Sequence, residues 1–588
     1  MRMRSVLILA ALASLGVHGV AEAASKRPNV LVILSDDQGY GDVSAHGNPA
    51  LKTPNLDKLH GESIRLTDFH VAPMCTPTRG QLLSGLDALH SGASSVCAGR
   101  SFLRRGTPTM PEIFRQNGYR TGHFGKWHLG DSYPNLPHQQ GFEETVYHLG
   151  WGITSMADTW LNDCFDGRYF HNGELKKYPG YCTDVWFDLA MQYMRERKQA
   201  DEPFFVYLPT NAPHGPHWVA EKYKQPYAKL GPQLAAFFGM IANLDENMGR
   251  LDTFLRESQL YDDTIVIYFN DNGATAGKNL YNAGMRGHKT TYYDGGHRAI
   301  CFIRWPGGQL RPVGDLSELT QVQDLLPTLC ELCEVTPSAT SAEKPAKFDG
   351  TSLAGLLRGT QQKLPERTLV VQYGQEPKKF ESCVLRGKWR LVKGEELYDI
   401  ASDLAQENDL AQKHPEIVKQ LRDHYEQWWA GIEPRLYDFS PVSIGAEQEN
   451  PVTLCSADWA NVYCDNMNDL RTGKRINGPW HILVERAGEY EIELRRWPRE
   501  ADAAVTAGVP RFQAVDGFMQ PGQPLPIARM RLTIGEALDE TKPVAADDKG
   551  VRFTAKLPAG KTTMQSWCLD AQGEEICGAY FAYVRLKD

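Results

Sequence analysis

Four short apolar runs, each ending abruptly in polar residues, constrain the fold of this chain more than any other feature. Residues 30–34 (VLVIL) run into Ser35-Asp36-Asp37-Gln38-Gly39, and residues 119–124 run into Gly125-Lys126-Trp127-His128. Residues 203–209 (PFFVYLP) lead to Thr210-Asn211-Ala212-Pro213-His214, and residues 264–269 (TIVIYF) to Asn270-Asp271-Asn272-Gly273. Short runs rich in β-branched and aromatic residues read as strands buried on both faces. The segments between them, 233–256 above all, read as helices. Alternating strands and helices make a mainly parallel sheet sandwiched by helices, the α/β class, and such sheets bind ligands beyond the carboxyl ends of their strands. The four polar clusters are therefore expected to converge on one crevice.

Each cluster brings its own chemistry. Two adjacent carboxylates past a buried strand are costly unless paired or bound to a cation, so Asp36 and Asp37 point to a metal; an ordinary solvated acidic loop is the other reading. Asp271 and Asn272 add two oxygen ligands at another strand end. Lys126 and His128 stand at i and i+2, which in an extended segment puts both on one side; surface decoration is the alternative. Pro213 and Pro216 stiffen the loop that presents His214. In the stretch 75–85 (CTPTRGQLLSG), Pro77 suits a first helical turn, and Leu82, Leu83 and Leu86 supply a buried face. Cys75 then sits at the partly positive helix start, where anions are favoured, although a merely packed cysteine would look the same.

The chain has 588 residues, which implies two or three domains. Arg2 and Arg4, an apolar run over 6–17 and Ala21-Glu22-Ala23 resemble a cleaved secretory signal over 1–23, too short for a membrane anchor. No other stretch looks transmembrane, so a periplasmic or secreted protein is expected. A net charge of -9 argues against non-specific nucleic-acid binding, and any anionic substrate must be drawn by local cations. Export permits disulfides among the twelve cysteines. Cys568 with Cys577, across a turn-like AQGEE, is the first candidate pair and Cys455 with Cys464 the second. Cys330 and Cys333 read as packing residues rather than zinc ligands, having no second pair.

The stretch 75–85 fits C-x-P-x-R-x-x-x-L-S-G and so resembles the signature of the type I sulfatases, whose cysteine is oxidised to formylglycine (3-oxoalanine). Residues 118–130 (GYRTGHFGKWHLG) resemble the second sulfatase signature. Arg286-Gly287-His288-Lys289 through Asp294-Gly295-Gly296-His297-Arg298 is similar to the family's RGxKxxxxEGGxR stretch, with Asp294 where glutamate is usual. The resemblance covers about residues 28–427. It implies an alkaline-phosphatase-like α/β catalytic domain over 24–347 and a small antiparallel α+β subdomain over 348–433, which includes LYDIASDLAQENDLA. Beyond it the sequence period turns to two, so 434–588 is expected to be an appended β-rich domain, a sandwich similar to tails on bacterial polysaccharide sulfatases.

Carried over residue by residue, the resemblance implies that Asp36, Asp37, Asp271 and Asn272, with modified Cys75, hold a divalent cation. An all-oxygen shell favours Ca²⁺, with Mg²⁺ second. It also implies that Arg79 holds the formylglycine hydrate, that Lys126 and Lys289 neutralise the sulfate, and that His128 is the base. His214 or Lys289 protonates the departing alcohol, and Lys126, His214 and Lys289 contact substrate. The expected activity is sulfuric ester hydrolysis on a sulfated polysaccharide or glycosaminoglycan. The arylsulfatase-B-like character of 286–289 indicates 4-sulfated galactose or N-acetylgalactosamine. A formylglycine-generating maturase acting at Cys75 is the implied partner. Sugar-reading residues are expected in 131–184, rich in Tyr, Trp and His, with His217 either a further contact or simply exposed. Trp480, Tyr490, Trp497, Trp567 and Tyr580 either stack on sugars or, the better reading, fill the core. Three other readings stay open: a phosphate or phosphonate ester hydrolase on the same fold, a non-catalytic binder of sulfated glycan, and a structural secreted protein with no site.

Overall fold

The computed structural model describes residues 27–339, 342–345 and 347–587, so the expected signal segment 1–23 lies outside the described residues. The four apolar runs are neighbours at the centre of a ten-stranded sheet, in the order Thr264–Asn270, Asn29–Ser35, Phe204–Pro209, Arg120–Lys126. They are mutually parallel, and all their residues but Arg120 are buried. Ile64–Leu66, Cys301–Arg304, Arg168–His171 and Glu174–Lys177 add antiparallel pairings towards the edges, so the sheet is mixed. In register Leu34 pairs with Pro209 and Ser35 with Asn270. The polar clusters that follow these residues therefore leave the sheet at one edge.

Strand alternation divides the apolar residues between two cores. Leu31, Ile33, Val206 and Leu208 face helices Cys182–Gln199 and Pro232–Glu257, meeting Trp186, Met240 and Leu244. Val30, Val32, Leu34, Phe205 and Tyr207 face Leu82 and Leu83 of Cys75–Ser84, with Ile113, Phe114, Leu325 and Leu326 beyond. Each wholly buried Leu, Ile or Val contributes about 1.5–3 kcal/mol. Cys330 and Cys333 lie in this second core. Leu86, expected on the helix, falls after it: the helix ends at Ser84 because Gly85 turns left-handed (φ 68°), and all its residues are buried.

Thr368–Gln372, Ser382–Arg386, Trp389–Val392 and Glu396–Asp399 form a four-stranded antiparallel meander. Leu421, Tyr425 and Trp429 of the helix Pro415–Ile432 cover it. After it come a six-stranded sheet and a second four-stranded one. One includes Trp480–Val484, Gly560–Leu569 and Arg529–Ile534, and the other Phe581–Leu586, Gly488–Arg495 and Val551–Leu557. Trp480, Tyr490, Trp497 and Tyr580 are wholly buried and belong to their core, while Trp567 is half-buried beneath Arg531, 4.9 Å from its ring. That core runs without a break into the face of the large sheet that carries Trp160 and Trp218.

The expected disulfides are absent: all twelve cysteines are free and buried. Cys568 and Cys577 do stand opposite each other across two strands, but the register slips between Cys568 and Leu569, and their thiols meet as hydrogen-bond partners. No helix among the described residues is long and apolar enough to cross a membrane.

Candidate active site

Cys75 is the first residue of its helix and 1% exposed, and burial raises its thiol pKa. Arg79, one turn on and wholly buried, donates from Nη2 to Asp271 Oδ2 (3.0 Å) and from Nη1 to the Lys126 carbonyl (3.1 Å). Thr76 Oγ1 donates to the carbonyl of His128 (3.1 Å). The helix start is thereby tied to two strand ends.

The carboxylates form a cage beside it. Lys126 Nζ donates to Asp36 Oδ2 (2.6 Å), and the Asp37 amide donates to Asp271 Oδ1 (3.1 Å). Asp37 Oδ1 accepts from Lys289 Nζ (2.5 Å) and Asn272 Nδ2 (3.0 Å), and His214 Nε2 lies 3.7 Å from Asp37 Oδ2. Burial pushes the Asp37 carboxyl up, but Lys289 and His214 outweigh it and hold Asp37 well below the usual range. Asp271 is pushed up to about 7 by burial and the adjacent Asp36. Asp36 and Asp37 are buried, which removes the solvated-loop reading. Asp36 Oδ1 and Asn272 Oδ1 are buried with no partner, and ligand atoms of Asp36, Cys75 and Asp271 lie within 4.8 Å of one another. Unpaired oxygens among clustered carboxylates are what a hard divalent cation satisfies, so these residues fit one.

The strand carrying Lys126 ends there, and His128 lies beyond it with φ 58°. Strand alternation therefore does not bring the two together, as the sequence spacing had implied; a left-handed residue does. Gly125 is required nearby, since at φ 128° a Cβ would lie 2.0 Å from the Pro209 carbonyl oxygen. His128 Nε2 sits 3.0 Å from the Val96 carbonyl, so Nε2 carries the hydrogen, and Nδ1, buried without a partner, is the basic nitrogen. Burial, with help from Lys126, keeps this imidazole neutral far below its ordinary pKa. His214 is lowered to about 3 by burial, with Asp37 opposing.

Asp37, His128 and Thr290 all hold left-handed backbones without being glycine, at a cost of about 1–3 kcal/mol each. Bonds at or beside each hold them in place: Asp36 N to Ala212 O (3.0 Å), Thr76 Oγ1 to the His128 carbonyl (3.1 Å) and Thr290 N to Pro73 O (2.8 Å). The last ties the Lys289 loop to the approach to Cys75.

Every nominated residue, from Asp36 to Lys289, thus lies in one crevice. His217 is half-buried against Phe237, with ring centroids 5.6 Å apart, and lies within electrostatic reach of Asp37. Of the aromatic region 131–184, Trp151 reaches the site, its ring 4.9 Å from that of His214. One buried network has no counterpart in the sequence reading. Arg390 Nη2 donates to Asp68 Oδ1 (2.7 Å) and its Nε to Asp294 Oδ1 (3.1 Å), and His70 and His297 meet through their Nδ1 atoms (2.8 Å). Asp68, His70 and Asp294 have metal-like spacing, but the guanidinium already fills the role of counter-charge. The sequence signals were Asp294, His297 and Arg298 within the RGxKxxxxEGGxR-like stretch.

Sheet, helix start and strand-end charges together define the class: an α/β protein whose cationic side chains and clustered carboxylates converge at one edge of its main sheet. The chain belongs to the sulfatase family, whose model, described as Sulfatase, matches residues 28–335, more than half of the 588. It is 30% identical to mouse arylsulfatase J over 329 residues, 53% of this chain and 53% of that protein, and so spans about half that relative's length. It is 29% identical over 401 residues to pig N-acetylgalactosamine-6-sulfatase, covering 63% of this chain and 73% of that one. With human arylsulfatase A the identity is 31% over 365 residues, 58% of this chain and 69% of that protein. Among solved structures, Ps i-CgsB in complex with k-i-k-neocarrahexaose shares the fold at TM-score 0.61 and 23% identity, over 70% of this chain and 93% of that chain.

Proposed function

We propose that this chain removes sulfate from a sulfated carbohydrate, using Cys75 in its oxidised, formylglycine form. One observation carries the reading: Cys75 opens a buried helix among Arg79, Lys126 and Lys289, beside carboxylates with unpaired oxygens. A sulfate ester is anionic, and its attack requires prior charge neutralisation. A thiolate would repel it and leave a thiosulfate-like adduct with no easy exit. A hydrated aldehyde has two hydroxyls, and each has a task.

One hydroxyl attacks sulfur and passes its proton to the Asp271 carboxylate, an oxygen of which lies within 4.8 Å of Cys75 Sγ, while the bond from sulfur to the sugar oxygen breaks. The departing alkoxide takes a proton from the open side of the crevice, where the side chains of His214 (19% exposed) and Lys289 (12%) lie. Of the two, Lys289 is the one that carries a proton to give, because Asp37 raises its pKa against burial, whereas burial holds His214 neutral. The second hydroxyl then yields its proton to His128 Nδ1, the carbon–oxygen bond to the sulfate breaks, and sulfate leaves as the aldehyde re-forms. Water restores the hydrate. Arg79 orients the hydrate, and Lys126 binds the sulfate. Asp36, Asp37, Asp271 and Asn272 would hold Ca²⁺, or Mg²⁺ as the alternative, which supplies charge neutralisation to the sulfate oxygens.

For substrate we favour an extracellular polysaccharide or glycosaminoglycan bearing 4-sulfated galactose or N-acetylgalactosamine. The similarity to N-acetylgalactosamine-6-sulfatase supports the sugar, though that name puts the sulfate at another position. A maturase acting on 75–85, and export to the periplasm or medium, belong to the same reading.

The test is the protein co-produced with a formylglycine-generating maturase. Its Cys75 peptide should be lighter by the exchange of sulfur for oxygen and the loss of two hydrogens, and it should release sulfate from 4-sulfated galactosaminoglycan oligosaccharides. Cys75→Ala should abolish turnover and keep the fold. Substantial hydrolysis by Cys75→Ala, or a higher kcat/KM on aryl phosphate than on aryl sulfate, would overturn the assignment.

A further inference from the structure

The β-rich region is clamped onto the loops that surround the crevice. Ala98 N donates to Ala457 O (3.0 Å) and Asn461 N to Ala98 O (3.1 Å), two residues from the Val96 carbonyl that holds His128. Met156 N donates to Asp465 O (2.8 Å) and Met467 N to Thr154 O (3.2 Å), while Ser155 and Asn466 form a β-bridge. Trp151 Nε1 also donates to Asp465 O (2.8 Å), and the same indole stacks near His214. A third loop, the one following His214, is held where Asp516 accepts from Val219 N (2.9 Å) and Lys224 Nζ (2.7 Å).

Resting on the sulfatase reading above, we infer that the segment 459–469 of the β-rich region forms one wall of the sugar subsite, with Tyr463 and Asp465 binding the sulfated sugar beside Trp151. The chemistry matches a carbohydrate. Tyr463 is an exposed aromatic face (37%), suited to stacking on the apolar side of a pyranose, and Asp465 offers a carboxyl that accepts sugar hydroxyls. Trp151 ties this segment to the site: its indole donates to the Asp465 carbonyl, and its ring lies 4.9 Å from that of His214. Tyr463 is itself steadied by Lys474, whose Nζ donates to the Tyr463 carbonyl (3.1 Å) and lies 5.6 Å from the ring. The catalytic sheet then supplies the chemistry, and a segment more than 330 residues downstream of His128 selects the sugar.

Binding separates this inference from the hydrolase reading. Calorimetric titration of Cys75→Ala protein with a chondroitin 4-sulfate tetrasaccharide measures affinity without turnover. Adding Tyr463→Ala or Asp465→Asn should weaken binding at least tenfold, about 1.4 kcal/mol, and Tyr463→Phe should restore most of what Tyr463→Ala loses. In maturase-treated enzyme the same changes should lower the ratio of kcat/KM on tetrasaccharide to that on a small aryl sulfate by a similar factor. The inference is overturned if the tetrasaccharide does not bind, or if both variants melt normally and bind it within twofold of the parent. Failure of maturase-treated wild type to release sulfate, with tetrasaccharide binding intact and Tyr463-dependent, would overturn only the hydrolase reading.

Discussion

Lys126 Nζ lies 2.6 Å from Asp36 Oδ2, both side chains are wholly buried, and the other oxygen of Asp36 has no partner. The lysine neutralises half of a carboxylate and leaves the other half free for a ligand. Breaking a buried pair by removing one member costs about 3–5 kcal/mol, because the remaining charge is left uncompensated.

Lys126→Met should therefore lower the unfolding free energy by about 3–5 kcal/mol in urea titration. On sulfate esters kcat should fall about 10²–10³-fold, the loss typical of one preorganised charge-stabilising group. Normal stability together with normal kcat would remove Lys126 from the site.

Chelation should lower both activity and melting temperature, and Ca²⁺ should restore both more fully than Mg²⁺. At a hundredfold excess over its dissociation constant the ion adds about 2.7 kcal/mol of stability. If exhaustive chelation changes neither quantity, and elemental analysis finds no ion, Asp36, Asp37, Asp271 and Asn272 do not form a cation cage.

His123 should make the fold acid-sensitive. It is wholly buried among Trp127, Phe142 and Tyr207, with ring centroids 5.2–5.4 Å away, and neither ring nitrogen has a side-chain partner. Burial, reinforced by Arg79, depresses its pKa far below the ordinary value. The unfolded chain then binds the extra proton first, near pH 6.5, so the contribution is fully present above that pH and is lost progressively as pH falls below it. His123→Phe should remove this part of the slope: its melting temperature should gain on wild type as pH falls from 7 to 5. A constant difference across that range would contradict the account.

Arg390→Met should destabilise by about 3–5 kcal/mol, since Asp68 and Asp294 would lose their buried counter-charge. The Trp389–Val392 strand brings Arg390 from the small sheet to the segments that precede Cys75 and follow Lys289. Hydrogen exchange should therefore accelerate in residues 68–74 and 289–298 as well as in the meander. Exchange confined to the meander would show that the network does not brace the crevice.

The sequence by itself determined the parallel sheet and the address of its site, because apolar runs such as 30–34 and 264–269 fit only a strand buried on both faces. Parallel strands must then deliver Asp36, Asp271 and His214 to one edge. Local chemistry also marked Cys75 and its helix, since Pro77 and Gly85 constrain backbone within a few residues. What only the tertiary structure decided are pairings between distant segments. His128 enters the site through a left-handed turn, Cys568 and Cys577 face each other as free thiols, Asp68 meets Arg390, and Asp465 meets Trp151. Propensity and periodicity report on neighbours in the chain, whereas the charge balance of a buried group depends on whatever the folded chain brings beside it. The sequence could name Asp294 but not Arg390, the guanidinium that balances it.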